Sequence, residues 1–209
     1  MIRTRVGVLI SGRGSNMACL IEAARDPGYP AEVALVLSNN PDAPGLQLAR
    51  EAGIEARAVD HRPFGRGKAA HEHALDETLH AAGVEYVALA GYMRLLTGAF
   101  IDAWPGRILN IHPSLLPLFP GLDTHRRALD AGVKLHGCTV HVVTEEVDCG
   151  PIVGQAAVPV LPDDTEETLR ARVLAAEHRL YPAALASFVA DEKGRASPEA
   201  TAALFNPRA

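Results

Sequence analysis

The sequence predicts an α/β fold, namely a mostly parallel, Rossmann-like open twisted sheet flanked by helices, with an antiparallel edge in the C-terminal half. Across residues 6–110, short apolar runs alternate with segments of helical periodicity, which is typical of a parallel sheet covered on both faces. A glycine-rich turn separates the first apolar run from the first helical segment. Two later apolar runs, 138–143 and 152–160, are joined by a short link, which favours antiparallel pairing.

The first strand and helix establish the pattern. Residues 6–10 are apolar and largely β-branched, which predicts a strand, and residues 16–25 carry Met17, Leu20 and Ile21 on one side of a helix. The same reasoning predicts strands at 33–37, 56–59, 86–90 and 107–110, and helices at 46–52, 68–82, 99–103 and 125–131.

A long final helix is predicted over residues 165–190. Asp164, with Glu167 three positions later, matches the capping box that begins helices. Glu177 lies on the flank of the apolar stripe, where a carboxylate needs a partner. The stripe consists of Leu169, Val173, Ala176 and Leu180.

Size and charge narrow the class of protein. The 209 residues, 48% of them apolar, predict a single domain over 1–190 followed by a loosely packed tail at 191–209, where helical periodicity ends. A net charge of −5 disfavours nucleic acid or an anionic membrane as the main partner. No apolar run reaches the roughly 20 residues that span a bilayer.

The cysteines and the N-terminus indicate a cytoplasmic protein. Cys19, Cys138 and Cys149 form no Cys-x-x-Cys pair, so we expect neither a disulfide framework nor a zinc ribbon. The apolar run 6–10 is too short for a secretory signal, so the chain is expected to start directly with structure. We expect a monomer or a homodimer.

The turn at residues 11–16 is the first candidate binding site. Free backbone N–H groups at the start of a helix hold anions, so Gly14, Ser15 and Asn16 favour phosphate over a merely structural turn. Met17 stands where a dinucleotide fingerprint needs its third glycine, and the Gly-Lys-Ser/Thr of a nucleoside triphosphatase is absent.

Two further candidates follow strands. Residues 90–94 end the fourth strand, where ligands bind in open α/β sheets, although an ordinary strand-to-helix connection has the same pattern. Asn110 and His112 point the same way from an extended segment, and an amide beside an imidazole suits an oxyanion. A buried structural histidine is the alternative, and the stiff prolines 113 and 117 favour function.

The acidic loop 144–148 is the fourth candidate. Most such loops are simply solvated, but an acid that folds against His112 favours its imidazolium form. A zinc set drawn from residues 136, 138, 141 and 149 matches no common spacing, and the rings of His71 and His73 diverge on a helix. We therefore expect no metal.

Several long motifs occur together and in order. Ser-Gly-x-Gly-Ser-Asn at 11–16, Ala-Gly-Tyr-Met-Arg at 90–94, Asn-Ile-His-Pro-Ser-Leu-Leu-Pro at 110–117 and Asp-Cys-Gly-Pro at 148–151 resemble the phosphoribosylglycinamide formyltransferase family. The resemblance spans about residues 3–190. It implies transfer of a formyl group from 10-formyltetrahydrofolate to the amine of 5′-phosphoribosylglycinamide in purine biosynthesis, directly and through a tetrahedral intermediate.

The resemblance also implies roles for individual residues. The catalytic residues are Asn110, His112 and Asp148. The ribonucleotide site comprises Gly14, Ser15, Asn16 and Glu177. The folate site comprises Lys68, Met93, Arg94, Leu95, Leu96, Asn110, Thr144, Glu145, Glu146, Val147 and Asp148. Lys68 stands where the family has an arginine, and Leu118 where it commonly has a basic residue.

Two alternatives stay open at this point. A 10-formyltetrahydrofolate hydrolase uses the same three catalytic groups with water in place of the amine. A nucleotide-binding module without turnover needs only the turn at 11–16.

Overall fold

The computed structural model describes residues 3–192 and 204–205. The chain forms two compact units, Met1–Asn110 and Ile111–Ala209. The boundary falls within one strand, β5 (Ile108–His112), whose last two residues belong to the second unit. The prediction of a single domain over 1–190 stays a prediction.

The first unit alternates strands and helices. Its strands lie in the order β3-β2-β1-β4-β5, and each neighbouring pair is parallel, as predicted. β1 is central and its apolar side chains are buried, because helices cover both faces of a parallel sheet. The elements are β1 (Thr4–Ile10), α1 (Ser15–Ala23), β2 (Ala31–Ser38), α2 (Pro44–Glu51), β3 (Ala56–Ala58), α3 (Lys68–Ala81), β4 (Tyr86–Leu89) and α4 (Gly98–Ala103).

The second unit contains an antiparallel pair. β6 and β7 pair antiparallel, which confirms that prediction, with an irregularity between Val140 and His141. The predicted apolar stripe of the final helix is buried, since that helix packs on these two strands. The elements are α5 (Thr124–Asp130), β6 (Leu135–Val142), β7 (Ile152–Pro159), α6 (Glu166–Glu192) and β8 (Leu204–Phe205), the last parallel to β7.

The start of α6 differs from the prediction. The capping box assigned to Asp164 and Glu167 is wrong by one residue, because Thr165 Oγ1 accepts from Thr168 N at 3.2 Å and Thr168 Oγ1 accepts from Thr165 N at 2.9 Å. Asp164 instead forms an ion pair with Arg172 at 2.7 Å. The hydrogen bonds from Arg172 hold the pKa of the Asp164 carboxyl well below its usual range.

The remaining boundaries agree with the predictions to within a few residues. The predicted tail at 191–209 falls mostly outside the described residues; positions 191–192 continue α6. Within the part of the chain that the structure describes, no helix is long and apolar enough to cross a membrane.

Candidate active site

The turn between β1 and α1 presents backbone N–H groups at a helix start. Gly14 precedes α1 with φ 73°, a left-handed conformation that favours glycine. Among the described residues, no side chain caps this first turn and no acidic residue lies in it. Ser15 is exposed as the first residue of α1. This end of the helix can therefore bind a phosphate through backbone N–H groups.

The start of α2 supports the same turn. Gly45 N donates to Gly12 O at 3.0 Å. A Cβ at Gly45 would lie 2.6 Å from Ile10 Cδ1 and 2.9 Å from Gly12 O, so only glycine permits this approach. Sequence reasoning missed Gly45; the available signal was a glycine directly after Pro44 in the first turn of a helix.

Residues 91–97 form an exposed apolar segment in the first unit. The side chains of Met93 and Leu95 are 73% and 61% exposed, so this segment offers two large apolar side chains to a ligand. Arg94 and Leu96 are partly exposed. Lys68 is the first residue of α3 and is also partly exposed.

β5 carries both Asn110 and His112. Because the two positions differ by two on a strand, their side chains leave the same face. The His112 ring is buried, with Nδ1 3.4 Å from Asp148 Oδ2 and Nε2 3.1 Å from the main-chain oxygen of Phe119. Both ring nitrogens thus face acceptors, and only the imidazolium form donates from both.

Asp148 lies in the link between β6 and β7 with φ 56°. Its side chain is 9% exposed, and Oδ2 also accepts from Gly121 N at 2.8 Å. The carboxylate is therefore turned away from solvent and toward His112. Glu145, Glu146 and Val147 of the same loop are exposed, whereas Thr144 donates to the Glu146 carbonyl at 3.1 Å.

His141 also contacts Asp148, although the sequence analysis considered residue 141 only as part of a zinc set and rejected that set. Its Nε2 lies 3.7 Å from Asp148 Oδ1, and its Nδ1 lies 3.0 Å from the Val142 carbonyl. Burial lowers the pKa of His141, and the nearby Asp148 carboxylate acts in the opposite direction. Its pattern in the sequence, a histidine in an apolar strand, gave no signal of the pairing.

Glu177 is buried on α6 with 6% of its surface exposed. Burial raises the pKa of the Cys138 thiol, and the charge of Glu177 adds to that effect, so the acid lies near β6. Acidic side chains are rarely buried to this extent.

Two further histidines, His71 and His73, lie on α3. His71 Nε2 lies 2.8 Å from the Val59 carbonyl, and His73 is exposed beside Glu77. Among the residues that the structure describes, no group of three or more His, Cys, Asp and Glu side chains is placed to hold a metal ion.

A comparison with known protein families identifies the class of protein. Residues 4–185 match the family model described as formyl transferase, and the chain belongs to that family. This confirms the resemblance seen in the motifs.

Two individual relatives of similar length carry the name phosphoribosylglycinamide formyltransferase. The phosphoribosylglycinamide formyltransferase of Escherichia coli (strain K12) is 44% identical over 181 residues, which are 87% of this chain and 85% of that protein. A crystal structure of phosphoribosylglycinamide formyltransferase from Brucella melitensis has a TM-score of 0.87 at 59% identity, covering 90% of this chain and 97% of that one.

Longer relatives contain a similar segment. The trifunctional purine biosynthetic protein adenosine-3 of Gallus gallus is 50% identical over 183 residues. The match covers 88% of this chain and 18% of that protein, so the chain spans less than a fifth of this relative.

Proposed function

We propose that the protein transfers the formyl group of 10-formyltetrahydrofolate to the amine of 5′-phosphoribosylglycinamide, a step of purine biosynthesis. The observation that carries the proposal is the nearly buried pair of His112 and Asp148, 3.4 Å apart, in a chain of the formyl transferase family. A cytoplasmic location and a monomer or homodimer are part of the proposal.

The protein binds two polar groups of the ribonucleotide, its phosphate and its ribose hydroxyls. Gly14, Ser15 and Asn16 hold the phosphate through the backbone N–H groups at the start of α1, and the exposed Ser15 hydroxyl donates to it as well. Glu177 accepts hydrogen bonds from the ribose hydroxyls. The position of that acid on α6, with 6% of its surface exposed, supports this role.

The folate is bound by apolar and polar side chains together. The exposed Met93 and Leu95 pack on its flat ring, because covering them removes large apolar surface from water. The other folate residues are Lys68, Arg94, Leu96, Asn110, Thr144, Glu145, Glu146, Val147 and Asp148.

The reaction is a direct acyl transfer. The uncharged amine of the ribonucleotide attacks the formyl carbon, a C–N bond forms, and the carbonyl oxygen becomes an oxyanion. The intermediate then collapses, the bond to the folate nitrogen breaks, and that nitrogen receives a proton as the incoming amine loses one. No covalent adduct with the protein forms.

Asn110 and His112 stabilise the oxyanion by donating hydrogen bonds to it. Asp148 accepts from Nδ1 of His112, which fixes the orientation of the ring. The Nε2–H then donates to the substrate oxygen in place of the Phe119 carbonyl.

The test separates transfer from its alternatives. The purified protein is incubated with 10-formyltetrahydrofolate, with and without 5′-phosphoribosylglycinamide, and both products are quantified by chromatography. Transfer requires both substrates, hydrolysis consumes the folate alone, and a nucleotide-binding module consumes neither. The proposal fails if tetrahydrofolate appears at the same rate without the ribonucleotide.

A pair of histidine variants completes the test. His112→Ala is expected to lower turnover by at least ~10²-fold, the usual loss when a donor to an oxyanion is removed. His73→Ala, at an exposed position on α3, is expected to leave turnover unchanged. Normal turnover of the His112 variant would contradict the assignment.

A further inference from the structure

Ser11 links the phosphate-binding turn to the folate segment. It directly follows β1, three residues before Gly14. Its main-chain N–H donates to Gly91 O at 3.2 Å, and its Oγ accepts from Met93 N at 2.8 Å. One serine therefore binds the same short turn, residues 91–93, from both its backbone and its side chain.

The hydroxyl is oriented by a third contact. Ser11 Oγ donates to Oδ1 of Asn39 at 2.6 Å, and Asn39 is buried. A serine hydroxyl has a single proton, so donation to Asn39 turns its lone pairs toward the Met93 N–H. Asn39 is itself held, because its main-chain oxygen lies 2.8 Å from Nδ1 of His61.

The opposite end of the segment has its own anchor. Glu72 Oε1 accepts from Thr97 N at 3.0 Å, and its other oxygen accepts from the Thr97 hydroxyl. Glu72 is buried on α3. The exposed Met93 and Leu95 thus lie on a segment that is fixed at both ends. A fixed segment suits a rigid ring such as that of folate, because less conformational freedom is lost when the ring binds.

We propose that Ser11 is a positioning residue for the folate rather than for the phosphate beside it in sequence. By holding residues 91–93, it sets the backbone from which Met93 and Leu95 contact the pteridine ring. The inference rests on the proposed function, since it takes the folate as the ligand of that segment. The inference assigns Ser11 to the folate subsite and Gly14 to Asn16 to the phosphate subsite, although all of these residues belong to the motif at 11–16.

The expected effect follows from losing one neutral hydrogen bond on each side of the hydroxyl. Removal of such bonds weakens a dependent interaction by about three- to tenfold. Ser11→Ala is therefore expected to raise the Kd for the folate by this factor. The Kd for a phosphate ligand should change by less than about twofold, because Gly14 to Asn16 keep their contacts.

The experiment measures binding, not turnover. Calorimetry gives Kd values for 5-formyltetrahydrofolate, a stable reduced folate, and for ribose 5-phosphate. Ser11→Thr retains a hydroxyl and is expected to restore folate binding. Ser15→Ala, in the same turn, is expected to show the reverse pattern, with weaker ribose 5-phosphate binding and unchanged folate binding.

The outcomes that overturn the inference about Ser11 differ from the outcome that overturns the proposed function. Unchanged folate binding by the Ser11→Ala protein, or a loss confined to ribose 5-phosphate, overturns the inference. If the wild-type protein binds no reduced folate, the proposed function fails instead. Amide hydrogen exchange in the wild-type protein gives a second measurement that does not depend on whether a variant folds. Slower exchange at the Met93 amide than at the Leu95 amide supports the contact with Ser11, and equal exchange overturns it.

Discussion

The Asp148→Asn substitution tests the core of the proposed mechanism. It preserves the size of the side chain and an oxygen that can accept from Gly121 N, but removes the negative charge 3.4 Å from His112 Nδ1. The His112 imidazolium then loses its counter-charge in a nearly buried site. The oxyanion loses its charged donor as a result, so the defect should appear in kcat.

The size of the effect follows from the distance. Two unit charges 3.4 Å apart attract by about 5 kcal/mol at an effective dielectric constant of roughly 20. The cost of burying the carboxylate offsets part of this, which leaves about 3 kcal/mol. A loss of about 3 kcal/mol in the transition state corresponds to roughly a 10²-fold lower kcat.

The assay is steady-state formyl transfer with both substrates varied, and thermal unfolding verifies that the variant folds. Asp130→Asn is the matched control, because it makes the same chemical change at an exposed position on α5. A folded Asp148→Asn protein whose kcat lies within about threefold of wild type would refute the role given to the charge.

Three further predictions concern other parts of the chain. Ser15→Ala should raise the KM for the ribonucleotide by about three- to tenfold, and an effect confined to the folate KM in steady-state kinetics would contradict it. Gly45→Ala should lower the free energy of unfolding, measured by urea titration, by about 1–3 kcal/mol, because the new Cβ would meet Ile10 Cδ1 and Gly12 O. An unchanged free energy of unfolding would contradict this prediction, since it would mean that the turn can shift to make room. Burial, with the neighbouring His125 charge, lowers the pKa of His136 from 6.5 to about 4. Between these pH values the unfolded chain protonates His136 and the folded chain does not, so the free energy of unfolding falls as the pH drops from about 6.5 to about 4. This amounts to about 3 kcal/mol, and unfolding of His136→Gln should show a correspondingly flatter pH dependence.

Local patterns predicted most of the fold, because strand and helix periods of 2 and 3.6 residues are properties of neighbouring positions. The apolar stripe of α6 is an example, since all four of its predicted members are buried. The helix cap was misplaced by one residue because Asp164 has a stronger partner in Arg172. The sequence does not show whether Asp164 caps the helix or pairs with Arg172, because the distances to both partners depend on the conformation of the turn before α6.

The sequence by itself determined the order of strands and helices, the glycine turn before α1, and the placement of Asn110 and His112 on one strand face. Only the tertiary structure decided that Asp148 turns toward His112, that His141 faces the same carboxylate, and that Ser11 holds the turn before Met93. The physical reason is that these contacts join residues far apart in the chain. Their geometry depends on how strands, loops and buried polar groups pack together, and no local period encodes it.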